Sequence, residues 1–294
     1  MSEESRAGSG DGALAIICGG GPFPFAVADA AIRRGRRVVL FALRGWADPV
    51  AVARYTHYWT GLGQFGRFKR ITSQEKCRDV VLIGTMLRPK LSQLRPDLTT
   101  LLYLPHVAYL LRGGDNHLLS GVGRVFEHHG FRLLGAHEVA PEILLPEGVL
   151  GRVQPRERDL ADIARGASLI AAMGPYDVGQ AVVVADNYVL AVEAAEGTDL
   201  MLARVAELRR ARRVPFAQSS GVLVKGPKPG QDRRFDLPSL GAHTVRTAVE
   251  AGLSGIAVEA KGAITADLQE LIAAVDAAGL FLVGIAAGGT RSRP

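Results

Sequence analysis

The 294-residue sequence is poor in the residues on which several large classes of protein depend. Its two cysteines, Cys18 and Cys77, are too few for a disulfide framework or a cysteine-rich metal site, and they fit a reducing compartment. Aromatic residues make up 6% and no run of Lys and Arg is interleaved with them, which argues against stacking on nucleic-acid bases. Charged, Pro or Gly residues interrupt every apolar run before the roughly 20 residues that a membrane-spanning helix needs.

Common catalytic motifs are missing as well. The sequence has no Gly-x-Ser-x-Gly elbow and no Gly-Lys-Ser/Thr phosphate loop, so neither covalent serine chemistry nor ordinary NTPase chemistry is supported. None of the seven histidines is spaced from another as zinc ligands are on one helix face. For a hydrolytic reaction, water is then the simplest nucleophile to assume.

The charged residues of the sequence favour a protein that binds anions. The formal net charge is +6 and the isoelectric point is near 9.6, which suits phosphates or acidic lipid headgroups. Residues 1–12 are small, polar and charged, and they predict a disordered tail without a secretory signal. We therefore expect a cytoplasmic protein.

The hydrophobic pattern predicts two domains of α/β character. A strand, a glycine turn, a helix and a second strand open the chain as a βαβ unit, which is typical of a Rossmann-like domain. In the second half, two apolar runs flank Asp186-Asn187, a pair that favours a hairpin turn, and the chain closes as β-α-β. We predict a Rossmann-like N-terminal domain at 13–145, a linker at 146–158 and a catalytic α+β C-terminal domain at 159–294.

The first candidate ligand contact is the turn Gly19-Gly20-Gly21-Pro22 after the first strand. Glycines let the backbone approach a ligand closely, and the helix start behind them attracts phosphate. The dinucleotide fingerprint, however, needs a further spaced glycine and an acid about 20 residues later, and neither is present. The turn is either a nucleotide contact or a plain tight turn, and NAD binding is disfavoured.

Three further candidates stand near the ends of predicted elements in the first half. Arg88 follows a strand, where open α/β sheets bind ligands, although a solvated basic loop explains it equally well. Asp115 and Asn116 stand at the start of a helix and would either cap it or hold a substrate hydroxyl.

In the second half, the segment Glu196-Gly197-Thr198-Asp199 leads into another helix. Thr198 or Asp199 would cap that helix, or these polar side chains would face a ligand.

The most informative stretch covers residues 225–238, which mix glycines and prolines with two lysines, two arginines and two aspartates. Diphosphate cleavage needs cations to neutralise developing charge and carboxylates to hold a metal or orient water. The candidate catalytic residues are therefore Lys225, Lys228, Asp232, Arg233 and Asp236, with Asp232 and Asp236 sharing one Mg²⁺.

Two plainer interpretations of this stretch stay open. The whole segment could be a solvated charged loop, and Asp236 could cap a helix that begins at Pro238.

Five segments, taken in order, resemble the LpxI family of UDP-2,3-diacylglucosamine pyrophosphatases. They are ICGGGPFP at 17–24, GGDN at 113–116, DVGQ at 177–180, EGTD at 196–199 and KPGQDRRFDLP at 228–238. The resemblance extends from about residue 13 to about residue 288, and the order of the segments makes it specific.

This resemblance implies a two-domain enzyme of lipid A biosynthesis in Gram-negative bacteria. It implies Mg²⁺-dependent hydrolysis of UDP-2,3-diacylglucosamine to UMP and 2,3-diacylglucosamine 1-phosphate, with water attacking the phosphorus nearer the sugar at a site between the domains. A diacylated substrate and a basic chain without a spanning segment predict peripheral attachment at the inner face of the inner membrane.

Carried over to this sequence, the resemblance assigns the glycine turn to the substrate site and the catalytic carboxylate to residues 231–236. The other substrate contacts expected in the second half are Gln180, Glu196, Thr198, Asp199 and Gln231. Asn116 departs from the family, in which a second acid is common beside Asp115.

Two other classes of protein compete with the hydrolase. A Rossmann-type nucleotide-dependent oxidoreductase or transferase is supported only by the opening βαβ unit, and a non-enzymatic binder of anionic lipid leaves the paired aspartates unexplained. The oligomeric state stays open, with a homodimer compatible with the sequence, and no nucleic-acid partner is expected.

Overall fold

The computed structural model describes residues 12–86, 95–103, 115–214 and 219–287, with only the backbone described at 115–117. Contacts divide the chain into two compact units, Met1–Pro141 and Glu142–Pro294. The predicted tail at 1–12 therefore lies outside the described residues except for Gly12. None of the described helices is long and apolar enough to cross a membrane.

The first unit is built around a five-stranded parallel sheet. Its strands are β1 (Ala13–Cys18), β2 (Val38–Leu43), β3 (His57–Thr60), β4 (Cys77–Ile83) and β5 (Arg132–Leu133). Its helices are α1 (Phe23–Arg33), α2 (Pro49–Val52), α3 (Phe65–Gln74), α4 (Asp115–His128) and α5 (Ala136–Val139), and residues 98–103 are also helical. The strand order is β3-β2-β1-β4-β5.

The central strands of this sheet are buried along almost their whole length. All six residues of β2 are buried, as are five of the six in β1, which is the pattern expected of parallel strands. The order 3-2-1-4-5 also occurs in the first five strands of dinucleotide-binding sheets. The predicted α/β class is confirmed.

The second unit is built around a six-stranded mixed sheet. Its strands are β6 (Gly148–Val149), β7 (Ala181–Ala185), β8 (Tyr188–Val192), β9 (Val222–Lys225), β10 (Gly255–Glu259) and β11 (Phe281–Ile285). Its α-helices are α6 (Glu157–Met173), α7 (Gly197–Arg210), α8 (Ala242–Glu250) and α9 (Leu268–Ala278). The order is β6-β11-β10-β9-β7-β8, in which β9, β10 and β11 are parallel and the outer pairings are antiparallel.

Helices pack on both faces of this sheet. Ile163 and Ile170 of α6 contribute to one core cluster, and Met201, Val245 and Val275 of the other three helices contribute to a second. A Cβ on Gly166 of α6 would lie 2.6 Å from Val224 Cγ2, so α6 can approach β9 this closely only with glycine at that position.

The structure changes the predicted domain division. The contact boundary lies between Pro141 and Glu142, and residues 146–158, predicted as a linker, belong to the second unit. There Gly148 and Val149 pair with β11, and α6 already begins at Glu157. The Pro and Gly residues of this stretch delimit a short edge strand instead of a domain junction.

Candidate functional site

The candidate site lies where the three parallel strands of the second unit end. Lys225, Glu259 and Ile285 are the last residues of β9, β10 and β11, and the register pairs Val258 with Lys225 and Glu259 with Ile285. A cavity of about 310 Å³ opens at this edge and is lined by all three residues. Ligands of open α/β sheets bind outside the carboxyl ends of the strands, so this is the expected position for one.

The polar wall of the cavity is predominantly basic. Lys225, Lys228 and Arg233 line it together with Gln231, and Glu259 is the carboxylate found among its described lining residues. Three cations around one opening suit a ligand that carries several negative charges, such as a diphosphate.

Lys225 is the most deeply buried of these cations. Its residue is 5% exposed, and its Nζ donates a hydrogen bond of 3.0 Å to the main-chain oxygen of Ser239. Burial lowers the pKa of the Lys225 ammonium, and the negative charges of Glu193, Asp199 and Asp236 oppose that shift. A phosphate beside Lys225 would stabilise its charged form in the same way.

The sequence prediction did not include Glu193 in the site, although Glu193 organises part of it. Glu193 is 7% exposed and accepts hydrogen bonds from Gln180 N at 3.0 Å and from Thr198 Oγ1 at 2.9 Å. It thereby joins the residue before β7 to the first turn of α7. The sequence signal that could have indicated Glu193 is an acidic residue directly after an apolar strand.

The predicted capping roles of Thr198 and Asp199 are wrong. Glu196 is the residue before α7, and its side chain does not cap the helix. Thr198 lies inside α7, and its hydroxyl donates a hydrogen bond to Glu193, which precedes the helix. Asp199 Oδ2 lies 3.2 Å from His243 Nε2, with both side chains more than half exposed. Glu196 forms a surface ion pair of 2.8 Å with Arg204 and does not line the described wall of the cavity.

The loop after β9 is held in shape by its own side chains. Lys228 pairs with Asp177, and its backbone N–H donates to Gln231 Oε1 at 3.0 Å. Gln231 in turn donates from Nε2 to Asp236 Oδ2, and it is 9% exposed. The predicted substrate contact Gln231 therefore fixes the position of the predicted catalytic Asp236.

Asp232 and Asp236 have different partners. Arg234 contacts the Asp232 carboxylate through Nε at 3.0 Å and Nη2 at 2.8 Å, and these hydrogen bonds lower the pKa of Asp232. The segment is a series of turns, neither extended nor helical. The predicted cap by Asp236 is wrong, because the next helix starts at Ala242 and Gly241 precedes it.

The donor set decides how well Mg²⁺ fits. Among the described residues, no three His, Cys, Asp or Glu side chains converge on a metal position. Magnesium is usually held by one or two carboxylates together with substrate phosphate oxygens and water. The Asp232 carboxylate is paired with the Arg234 guanidinium and the Asp236 carboxylate accepts from Gln231, so a Mg²⁺ shared by the two stays a prediction.

In the first unit, the glycine turn has a structural role of its own. Gly20 exchanges two backbone hydrogen bonds with Thr85, of 2.9 and 2.8 Å. A Cβ on Gly19 would lie 2.9 Å from the carbonyl of Gly84, whose φ is +113°. The turn therefore brings the ends of β1 and β4 into backbone contact, and the Gly20 N–H is already used.

The prolines of the turn weaken a phosphate site there. Pro22 and Pro24 supply no N–H groups at the start of α1.

The predicted ligand contact Arg88 lies outside the described residues. The side chains of Asp115 and Asn116 do so as well, although their backbone begins α4.

A second cavity, of about 250 Å³, lies in the first unit near the carboxyl ends of β1 to β4. Ile17, Leu43 and Leu82 contribute from the strands, and Phe65 and Phe68 contribute from α3. Its mainly apolar wall suits a hydrocarbon group better than a phosphate.

Fold and site together define a two-unit α/β protein with a cavity lined mainly by cationic polar groups at the ends of parallel strands. Comparison with known proteins agrees and is more specific. The model of the LpxI N-terminal domain matches residues 13–143, and the model of the LpxI C-terminal domain matches residues 146–283. The UDP-2,3-diacylglucosamine pyrophosphatase LpxI of Caulobacter vibrioides is 42% identical over 272 residues, covering 92% of this chain and 97% of that protein. The chain belongs to the LpxI family, and the resemblance stated from its sequence is confirmed.

Proposed function

We propose that this protein hydrolyses the diphosphate of UDP-2,3-diacylglucosamine to UMP and 2,3-diacylglucosamine 1-phosphate in lipid A biosynthesis. The activity of the Caulobacter relative, a UDP-2,3-diacylglucosamine pyrophosphatase, supports the substrate. The observation on this chain that carries the proposal is the cavity at the strand ends, whose described lining includes Lys225, Lys228 and Arg233.

Each cation has a role that its position supports. Lys225 is buried and held by Ser239, so its ammonium is fixed in place before a substrate arrives, and a fixed charge stabilises a transition state without reorganisation cost. Lys228 and Arg233 come from the loop and would neutralise the remaining phosphate oxygens. Asp177 anchors Lys228 through an ion pair.

Asp232 and Asp236 would hold Mg²⁺, which when bound supplies further neutralisation of phosphate charge. Gln231 orients Asp236, and Arg234 orients Asp232. Gln180, Glu193 and Thr198 would position the base of the cavity through the hydrogen bonds that join them.

The lipid part of the substrate fits two properties of the chain. The apolar cavity of the first unit suits a hydrocarbon group, and a net charge of +6 favours anionic membrane surfaces. We therefore propose peripheral binding at the inner face of the inner membrane.

The competing oxidoreductase has less support. The dinucleotide site needs an acid at the end of the second strand, whereas β2 ends at Leu43 and is followed by Arg44. The cavity near the carboxyl ends of β1 to β4 is also mainly apolar, which does not suit the phosphates of a dinucleotide.

The test is an assay of purified protein with UDP-2,3-diacylglucosamine and Mg²⁺ in ¹⁸O-enriched water. We expect UMP and the sugar 1-phosphate as products, with the label in the sugar 1-phosphate, because attack falls on the phosphorus nearer the sugar. Label in UMP would overturn that direction of attack. Absence of both products would overturn the proposed function.

A further inference from the structure

We infer that Glu259 is a further catalytic residue of this reaction, namely the carboxylate that accepts the proton of the attacking water. The inference rests on the proposed function and assigns a role to a residue outside the segments that resemble the family.

The position of Glu259 follows from the sheet. It ends β10 in the middle of the parallel strands, one residue beyond the Val258 position that is paired with Lys225 of β9. Successive residues of a strand point to opposite faces of the sheet, so the Glu259 side chain lies on the opposite face from that of Lys225. It lines the cavity together with Lys228 and Arg233. A carboxylate at this position would face the phosphates that these cations bind.

Two glycines leave space around the side chain. A Cβ on Gly262 would lie 2.8 Å from Glu259 Oε1, and a Cβ on Gly226 would lie 3.7 Å from Glu259 Cβ. Larger residues at 262 would displace the carboxylate, so the glycine there preserves its present position.

Glu259 differs from the other carboxylates of the site in its contacts. Asp232 is paired with Arg234, Asp236 accepts from Gln231, and Glu193 accepts from Gln180 and Thr198. Within the described part of the chain, no donor makes a hydrogen bond or ion pair to the Glu259 carboxylate. A general base must have a lone pair available for the proton that it takes, and Glu259 meets this requirement.

The electrostatic surroundings of Glu259 suit a base. Burial raises the pKa of its carboxyl, and the positive charge of Arg233 opposes that shift. The other charged groups of the cavity wall are Lys225 and Lys228, and Lys261 follows in the next turn. A raised pKa strengthens a carboxylate as a proton acceptor near neutral pH.

The proposed step is a displacement by water at the phosphorus nearer the sugar. The water oxygen forms a bond to phosphorus while one of its protons passes to Glu259. The bond from that phosphorus to the bridging oxygen breaks, and the electron pair stays on the departing phosphate. The proton on Glu259 is then released to solvent before the next turnover.

The experiment compares Glu259→Gln with wild type and with Glu250→Gln, which removes an exposed carboxylate from the end of α8. Loss of a general base is expected to lower kcat by about 100-fold or more, because such catalysis contributes roughly 10²–10⁴-fold. KM should change little, the melting temperature should stay near that of wild type, and Glu259→Asp should retain part of the activity. The acidic limb of the kcat profile should flatten in Glu259→Gln.

The outcomes separate this inference from the proposed function. If the wild type turns over substrate and Glu259→Gln has a near-normal kcat, the role of Glu259 as general base is refuted, whereas the proposed function stands. A raised KM with unchanged kcat in Glu259→Gln would make Glu259 a binding group. A large fall in melting temperature in both Glu259→Gln and Glu259→Asp would make it a structural residue. Either result contradicts the inference. A wild type without turnover would instead refute the proposed function.

Discussion

Lys225 and Ser239 are joined by a hydrogen bond of 3.0 Å from the lysine Nζ to the serine main-chain oxygen. Lys225 ends β9, and Ser239 follows the charged loop that leaves this strand. The buried ammonium thus ties the beginning of the loop to its end. A group that would neutralise phosphate charge also determines the path of the loop that carries the other candidate residues.

The two loop aspartates give the first prediction. Asp232→Ala and Asp236→Ala are each expected to lower turnover by at least about 100-fold, roughly 2.7 kcal/mol of transition-state stabilisation. Both should fold, because the loop contributes little core and Asp236 caps no helix. Steady-state kinetics and melting curves on the same preparations provide the measurement.

The double variant tests whether the two aspartates act as one unit. If they hold one metal, the double variant should be hardly worse than the poorer single one. Multiplicative losses would show separate roles, and near-normal turnover in both single variants would contradict the placement of the site.

A second prediction concerns metal. Exhaustive chelation should abolish turnover and added Mg²⁺ should restore it, because transfer at phosphorus develops charge that the cavity cations neutralise incompletely. Mg²⁺ titrated in the presence of UMP should bind wild type more tightly than the double aspartate variant. Full turnover after chelation would contradict the metal proposal.

A third prediction separates the structural from the binding role of the glycine turn. Gly19→Ala should lower the free energy of unfolding by about 1–3 kcal/mol, because its Cβ would meet the backbone of Gly84 at 2.9 Å. Gly61→Ala is the control in the same unit, since its Cβ would make only an ordinary contact at 3.6 Å. Urea denaturation without substrate is the measurement, and equal stability of the two variants would contradict the close approach.

A fourth prediction follows from the ion pairs of Asp79, which lies on β4 and is contacted by Arg36 and Arg132. Burial raises the pKa of Asp79, but hydrogen bonds from the two arginines outweigh it and hold the pKa below the ordinary value of 3.8. A lowered folded pKa means that the stabilisation is complete above that value and is lost as the pH falls further.

Asp79→Asn should therefore lower the free energy of unfolding at pH 7 by about 1.5–3 kcal/mol, the contribution of hydrogen bonds to a charged group. The difference from wild type should shrink below about pH 4. Glu147→Gln, which removes an exposed carboxylate, serves as the control. A difference independent of pH would show that the charge of Asp79 is not responsible.

A fifth prediction concerns the membrane surface. Vesicles containing anionic lipid should bind the protein more tightly than neutral vesicles, and salt should weaken the binding, because the attraction is between net positive charge and lipid headgroups. Equal binding to both vesicle types would contradict electrostatic attachment.

Much of the fold could be predicted because its signals are local. The predicted hairpin turn at Asp186-Asn187 is confirmed between β7 and β8, and both residues have the positive φ values, 47° and 62°, that such a turn requires. The closing β-α-β pattern is confirmed as well: its helix covers Leu268–Ala278, Asp267 caps the start, and Gly279 ends it in the left-handed conformation.

The missed features depend on pairing between distant parts of the chain. β9 has only four residues, and its identity as a central strand comes from β10 and β7 on either side. Glu259 joins the site through the register of β9 and β10, which no pattern within residues 255–259 reveals. Of the predicted loop residues, Lys228, Gln231 and Arg233 line the cavity, whereas Asp232 and Asp236 are not among its described lining residues. The motif segments did not indicate Glu193 or Glu259.

Diphosphate cleavage at the strand-end cavity is tested most directly by the rate of UMP release from UDP-2,3-diacylglucosamine. The rate is measured for wild type, Lys225→Met and Arg210→Met, with the melting temperature of each protein measured in parallel. Methionine fills a similar volume without the buried charge, so Lys225→Met should fold and should lose at least about 100-fold in turnover through missing charge stabilisation. Arg210 is an exposed cation at the end of α7, so Arg210→Met should keep wild-type turnover. Folded Lys225→Met with a wild-type rate would contradict the assignment of diphosphate cleavage to the strand-end cavity.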